Sequence, residues 1–493
     1  MALYLRTRVP YIPTPRKRIQ VIFAHLPITP ETVIYDLGCG KGDILFAAEK
    51  SGAKKLVGFE LSPLHIWYIR LKAQVIRSKV EVHRKDFFEV DKQTLKRVIL
   101  VAGISGMAAL LYEMVWVRLL INFFGSSTYA FSIMLMAFIG GITLGSLVIS
   151  QNVLKKYNYV KLLTFLQCAI AFSTLFVLLF YERLPYLLWK VSALFSKSKE
   201  SFELFLAVEF IICFCLMLLP TLFMGMSLPV ASEIVSASYK KIGVSVGRVF
   251  SVNTLGTVVG VVLTGLVFIP LFGIKITFEI GIALNLFGAF LLLSKYKFFS
   301  TKEKVLLYSI SAIAFCSYLI FFPKWNEKVL LSGVFRSFGV PPPSSFDEFA
   351  KGFTDEEIIF YKEGMNATVA VTQSLQNKTN KRLIINGKPD ASTYFDMPTQ
   401  VLLGEIPMML HPNPKNIFVV GFGSGTTIGS VLNSPVKKVV CAEISKEVIS
   451  AASLFERENK NCINDPRVNI INEDAVTLLK LSKEKYDVII SEP

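Results

Sequence analysis

Hydrophobic positions follow two rhythms along this chain. Between about residues 98 and 322 they form long, nearly unbroken runs; on either side they come as short runs separated by polar clusters. A helix needs about 20 apolar residues to cross the hydrocarbon core of a bilayer. Lipid offers the backbone no hydrogen-bond partner, so such runs must be helical. Seven stretches qualify, 98–124, 128–150, 161–181, 205–232, 249–271, 276–294 and 304–322. Pro220 and Pro229 interrupt the fourth, and the apolar stretch 184–195 is a candidate eighth crossing. Gly141 with Gly145, and Gly256 with Gly260, recur at a four-residue spacing that lets helix backbones approach closely, and the expected role is packing. Glu113, Glu209 and Glu279 fall inside these runs. An unpaired charge at mid-bilayer costs roughly 3 kcal/mol or more, so each is expected to be protonated, paired or turned into the bundle.

The flanks alternate strands and helices. In residues 1–97, TVIYDLG reads as a buried strand ending near Asp36, followed by the loop GCGKGD and a helix. LVGFELS is a second strand ending at Glu60, and VEVHRKDFFEV a third carrying Asp86. Residues 323–358 are expected as a linker. From 359 onward come IIFYKEG, ATVAVTQSL and RLIINGK, with QNKTN as a hairpin turn. A helix over TYFDMPTQVLLGEIPMML follows, and NIFVVGFGSGTTIGSVL reads as strand, glycine loop and helix. KKVVCAEIS, VNIINEDA and YDVIISEP complete four strands. The expected fold is therefore a polytopic α-helical membrane bundle flanked by two partial α/β, Rossmann-like segments, 1–97 and 359–493, the second preceded by small β-hairpin strands.

Composition agrees. Hydrophobic residues make up 52% and charged residues 18%, with mean hydropathy +0.51; a soluble domain carries about 25% charged residues. The net charge of +16 sits in short basic runs between apolar stretches, as topology-setting charges do. No aromatic-interleaved basic stripe points to nucleic acid. Seven scattered cysteines without a CxxC pair, and four distant histidines, predict no metal site or disulfide framework. The loops holding KKYNYVK, SASYKK and KYKFFSTKEK are basic and alternate correctly for the cytosolic side. Seven crossings would leave the C-terminal segment outside. An adenosyl ligand is cytosolic, so both soluble segments are expected in the cytosol of a bacterial or archaeal cell, with the eighth crossing supplied by 184–195 or by the proline-broken segment.

The glycine loops carry the chemistry. Gly38, Gly40 and Gly42 in the first segment, and Gly421, Gly423 and Gly425 in the second, let the backbone pass close to a ligand. A parallel βαβ half-fold binds nucleosides at the carboxyl ends of its strands. Glu60 and Glu443, each about twenty residues past its loop, are placed to accept ribose hydroxyls. Asp86 and Asp474, on the third strands, are placed for the base. Glu492 closes the fourth strand of the second segment, where a carboxylate can orient and deprotonate an incoming amine.

DLGCGKGD resembles motif I of the class I S-adenosylmethionine (SAM) methyltransferases, and YIPTP resembles the entry segment of a small lysine-methyltransferase-like subgroup, over about residues 10–90. The strand that normally carries methyl transfer has no place before the first apolar run, so nucleoside binding is expected without methylation. From about 100 onward the chain resembles the membrane-fused branch of the spermidine synthases, the polyamine aminopropyltransferases. The motifs are SGMAALLYEMVWVRLL, FGSSTYAFSIMLMAFIGGITLGS, NTLGTVVGVVLTG, INGK, HPNPK, GSG, EDA and YDVIISEP in order. That resemblance implies decarboxylated SAM as aminopropyl donor, a polyamine or other amine as acceptor, no metal, and an amine-side role for Asp390, Asp396 and Gln400. It implies Glu492 as the catalytic acid in place of the family's Asp. Ser424 replaces a loop Asp that would repel the carboxylate of SAM, so one barrier against ordinary SAM is absent. The second segment stops after its fourth strand, and the expectation is a truncated domain whose transfer activity is lost with the missing strands. Two other functions compete: a transporter-like membrane protein whose soluble parts sense adenosyl nucleotides, and a membrane-anchored SAM methyltransferase. The oligomeric state is open.

Overall fold

The short apolar runs near the N-terminus pair as parallel strands, as their separation by helices requires. The computed structural model describes residues 14–26, 28–60, 62–84, 92–150, 158–195, 198–239, 242–294, 299–322, 324–337 and 340–491. The chain divides into two compact units, Met1–Lys92 and Gln93–Pro493. The first holds α1 (Arg16–His25), β1 (Val33–Leu37), α2 (Asp43–Lys50), β2 (Lys55–Glu60), α3 (Pro63–Val75) and β3 (Val80–Arg84). Its strands are parallel in the order β1-β2-β3. Leu45, Phe46, Leu56, Ile69 and Val82 form its core. Ser62 caps α3 by accepting the His65 N–H, and Pro63 sits in the first turn, where no N–H is needed.

The second unit opens with long helices: α4 (Lys92–Phe124), α5 (Thr128–Ser150), α6 (Tyr159–Leu178), the short α7 (Leu184–Ser192), α8 (Lys199–Tyr239), α9 (Ile242–Leu263), α10 (Ile269–Leu293) and α11 (Thr301–Phe321). Among the described residues, six helices are long and apolar enough to cross a membrane. One of them, Gly243–Leu293, spans 51 residues. At 1.5 Å per residue it would run about 75 Å, more than twice the hydrocarbon thickness. A π-helical turn at Thr264–Phe268 and a non-helical residue, Gly273 (φ 81°, ψ 173°), divide it. Six helices and seven apolar runs thus describe the same polypeptide.

Neither candidate for an extra crossing provides one. The nine residues of α7 extend about 13 Å, too short to span. The prolines do not break α8, which runs 41 residues through both. Pro229 deprives the Gly225 carbonyl of its usual donor, and the Ser146 hydroxyl from α5 donates to it at 3.0 Å. The small residues explain how α5 comes so close. A Cβ on Gly145 would overlap the Leu222 carbonyl, and one on Gly225 the Ile142 carbonyl. Gly256 and Gly260 in α9 likewise face the backbone of α4 at Gly103 and Met107. Glu279 pairs with Lys275 one turn away, Glu209 is buried in α8, and Glu113 is half-buried.

The stretch expected as a linker is packed rather than extended. It forms α12 (Glu327–Leu330) and α13 (Phe346–Lys351), and Val329, Leu330, Val334 and Phe349 join the same apolar core as Leu111, Trp116 and Phe278 of the bundle. Trp325 stacks on Tyr181 with ring centroids 4.0 Å apart. An antiparallel meander follows: β4 (Glu356–Glu363), β5 (Thr368–Ser374), β6 (Lys381–Ile385) and β7 (Lys388–Ser392). What reads in sequence as one strand, RLIINGK, is two, because Asn386 and Gly387 both take positive φ (49° and 77°) and turn the chain as a tight hairpin. Then come α14 (Met397–Leu410), β8 (Asn416–Val420), α15 (Thr426–Val431), β9 (Lys438–Ala442), α16 (Lys446–Ala451), α17 (Glu456–Asn459), β10 (Val468–Ile471), α18 (Ala475–Leu481) and β11 (Val488–Ser491). The sheet is parallel in the order β10-β9-β8-β11, the half of a doubly wound fold whose strand order reverses between β8 and β11.

Candidate functional site

At the carboxyl end of β8 the chain turns through Gly421, Gly423 and Gly425, with φ of 84°, 55° and 82°. Glycine, with no Cβ, adopts such angles freely. The turn is closed by the Gly421 N–H donating to the Ala442 carbonyl (2.9 Å) and the Gly425 N–H donating to the Phe422 carbonyl (2.8 Å). Phe422 is fully buried beneath it, and a Cβ on Gly425 would lie 2.8 Å from its ring.

Glu443 follows β9 at the same level and is 8% exposed. Its two oxygens accept the Phe422 and Ser445 N–H groups, each at 2.8 Å. Asn472 beyond β10 donates to the Glu443 carbonyl at 2.7 Å. The acid predicted to meet ribose is therefore also the clamp that ties the glycine turn to the second strand. Each carboxylate oxygen keeps a second lone pair, so a ribose diol remains compatible with both bonds. Asp474 does something the sequence reading did not assign: its side chain caps α18 by accepting the Thr477 N–H at 2.7 Å. That bond holds the Asp474 carboxyl below the usual carboxylate range.

The predicted amine-side residues fall on two elements, β7 and α14 with its N-cap. Gln400 in α14 is 3% exposed. It donates to the Ser392 carbonyl (3.1 Å) and accepts the Ser424 hydroxyl (2.5 Å). Ser424 in turn lies 2.8 Å from the Thr426 hydroxyl, and the Thr427 hydroxyl donates to the Gln400 carbonyl. A neutral chain of side chains thus fastens α14 and β7 to the glycine turn. Sequence reasoning singled out Gln400 and Ser424 separately and missed their bond; no periodicity links residues 24 apart. Asp390 lies on β7, paired with Lys388 at 2.9 Å, and burial pushes its carboxyl up. Asp396 stands at the start of α14, and its N–H donates to the Ser392 hydroxyl. Glu492 and Asp86 lie outside the described residues.

The first unit repeats the device. Gly38, Gly40 and Gly42 take φ of 82°, 54° and 75°. Glu60 accepts the Gly40 and Ser62 N–H groups, each at 2.8 Å. Asp36 in β1 is pushed up by burial and by the Glu60 charge. The Cys39 thiol is raised to about 12 by burial and by both acids.

Residues 397–492 match the model of the spermine/spermidine synthase domain. The C-terminal segment is spermidine synthase-like. A polyamine aminopropyltransferase of Leptospira biflexa is 35% identical over 102 residues, which are 20% of this chain and 34% of that protein. One from Thermococcus onnurineus is 37% identical over 84 residues, 17% of this chain and 30% of that protein. Polyamine aminopropyltransferase 1 of Aquifex aeolicus is 27% identical over 139 residues, 28% of this chain and 49% of that protein. A crystal structure of spermidine synthase in complex with the transition state analogue AdoDATO aligns at 24% identity with a TM-score of 0.26, covering 27% of this chain and 47% of that one. The chain spans between about a third and a half of the length of these relatives. The spermidine synthase-like match covers the glycine turn, Glu443 and Asp474 and stops short of the meander and the bundle. Among the described residues no cluster of His, Cys, Asp or Glu could hold a metal ion.

Proposed function

We propose that this chain is a membrane-integral, aminopropyltransferase-like protein whose C-terminal domain grips an adenosyl nucleoside between the Gly421–Gly425 turn and Glu443. The observation that carries the reading is Glu443 itself, buried at the tip of the second strand and bonded to the turn above it, inside a segment similar to polyamine aminopropyltransferases. Its chemistry would be displacement. An amine nitrogen attacks the aminopropyl carbon beside the sulfonium of decarboxylated SAM, that carbon–sulfur bond breaks, methylthioadenosine leaves, and the amine yields its proton to a carboxylate. Glu492 is the proposed acceptor of that proton, with Asp390 and Asp396 on the side of the polyamine. The neutral Gln400–Ser424 pair presents no charge to repel a carboxylate, so ordinary SAM is expected to bind as well. Calorimetry of methylthioadenosine, decarboxylated SAM and SAM against the purified chain tests this. Binding of the first two is expected, and no heat from any of them would end the proposal.

A bilayer around the bundle is part of the reading, and the contacts of the second unit support a side for the C-terminal domain. Its residues meet the C-terminal end of α4 and the α4–α5 turn, where Asn386 donates to Ser126 (3.3 Å). The packed stretch just before the domain meets the end of α6, where the Asn326 N–H donates to the Tyr181 hydroxyl (2.8 Å), and the domain itself meets the break at Gly273, where Glu363 accepts the Ile274 N–H. The connections at the other helix ends, 151–161, 236–242 and 294–304, carry nine Lys and Arg; those at the domain's end, 125–128, 179–200 and 273–275, carry five. Basic connections stay in the cytosol. The C-terminal domain would then face away from it, contrary to the expectation from ligand supply alone. The test uses single cysteines at Lys378 and at Lys302, after replacing the exposed Cys215 and Cys316. In intact cells a membrane-impermeant maleimide should label K378C, and should reach K302C only after permeabilisation. The opposite pattern would return the domain to the cytosol.

A second function, transport gated by nucleoside, is favoured by one observation: the broken helix at Gly273 is held by Glu363 of the C-terminal domain. Solute flux in vesicles that responds to methylthioadenosine would select it. For the first unit we propose a second adenosyl site at Gly38, Gly40, Gly42, Asp36 and Glu60, with Asp86 for the base; methyl transfer there would show as label passed from methyl-labelled SAM to an acceptor.

A further inference from the structure

Arg118 belongs to the C-terminal third of α4, in a run that reads as membrane-crossing, yet its guanidinium is bound to the C-terminal domain. One terminal nitrogen donates to the Gly364 carbonyl (2.8 Å) and the other to the Met365 carbonyl (2.9 Å). Those carbonyls form the turn between β4 and β5. The turn reaches the proposed nucleoside acid by two separate routes. Asn366 donates to the carbonyl of Ile444, the residue after Glu443, at 2.9 Å. The Glu447 carboxyl packs directly on Gly364, which has no side chain to hold it off. Glu447 accepts the Ser445 hydroxyl (2.8 Å), while the Ser445 N–H donates to Glu443 (2.8 Å). Residues 444, 445 and 447 are thus all fixed by one turn, and Arg118 grips that turn. Glu363 and Glu447 are the charged neighbours of the guanidinium. The two acids would repel each other across the turn without it. Burial pushes the Glu363 carboxyl up, and the Arg118 charge opposes that shift.

We infer that Arg118 is a positioning residue for the adenosyl site: from the end of a bundle helix it sets the loop that aims Glu443. The inference rests on the proposed nucleoside reading and extends it to a residue that touches no ligand. It makes the bundle a structural part of the site, since the fork comes from α4. Because the guanidinium is planar and bidentate, lysine can replace its charge but only one of its two bonds.

Calorimetry of methylthioadenosine with full-length wild-type, R118A and R118K protein in lipid nanodiscs, with a thermal melt of each sample, tests it. R118A should bind about tenfold more weakly, R118K should recover part of that loss, and the three melting temperatures should agree within about 3 °C. Equal affinity in R118A and wild type would overturn the inference. So would a loss that lysine does not lessen, or one that follows a falling melting temperature, because each marks a general structural role. If wild-type protein binds no methylthioadenosine, the functional reading falls and takes this inference with it; if wild type binds and R118A binds equally, only the inference falls.

Discussion

Glu443→Ala is expected to weaken methylthioadenosine binding by at least about tenfold and to destabilise the C-terminal domain by about 3 kcal/mol. Both effects have one origin. The carboxylate accepts two backbone N–H groups, from Phe422 and Ser445, in a setting that is 8% exposed. Removing it strands two donors with little access to water, and a hydrogen bond to a charged group contributes about 1.5–3 kcal/mol. The ligand then loses its acceptor, and the glycine turn loses its tie to β9. Hydrogen exchange at the Phe422 and Ser445 amides should accelerate together, while amides in α5 and α8 stay protected. Glu443→Gln keeps one acceptor oxygen and should fall between the two. An alanine variant with unchanged binding and unchanged amide protection would show that the turn is held by its glycine angles alone.

Gly145→Leu should be the most damaging single change in the bundle. An added Cβ would overlap the Leu222 carbonyl and lie 3.1 Å from the Gly225 Cα, so the backbones of α5 and α8 would have to separate. Separation also breaks the Ser146 bond to Gly225, leaving the carbonyl that Pro229 orphans without a donor. Overpacking costs about 1–3 kcal/mol before that loss, and a buried unsatisfied carbonyl adds about 1–3 kcal/mol. The expected result is little monodisperse protein after detergent extraction and a melting temperature lowered by 10 °C or more, about what that sum implies for a large unit. Gly247→Leu is the control, because nothing lies within 4 Å of a Cβ there. Equal yields from the two variants would refute the close approach of α5 and α8.

Much of this molecule could be read locally. A glycine turn after a strand, and an acid about twenty residues later, are set by the length of one strand–helix–strand unit, so Gly421–Gly425 and Glu443, like Gly38–Gly42 and Glu60, stand where spacing put them. Apolar run length gave the long helices for the same reason. What escaped depends on partners distant in sequence. Pro229 looked like a break because its compensation comes from Ser146, on another helix. Residues 323–358 looked like a linker because their apolar positions are few and irregular, yet Phe349 and Val329 complete a core that the bundle began. One miss was local: Asp474 was assigned to the base, and its cap on the Thr477 N–H three residues on was not anticipated. The fork of Arg118 spans nearly 250 residues, and no pattern within a window can anticipate it.

The break at Gly273 bears on how the molecule is made. Past that glycine the Ile274 N–H donates to the side chain of Glu363, which lies 89 residues downstream. If the bundle is membrane-embedded as proposed, a ribosome would deliver the apolar segment to the translocation machinery well before it has made that acid. During the interval the exposed amide would have to be satisfied by water at the membrane edge, so this segment would enter the bilayer provisionally. Its final seating would wait for the C-terminal domain to fold onto it.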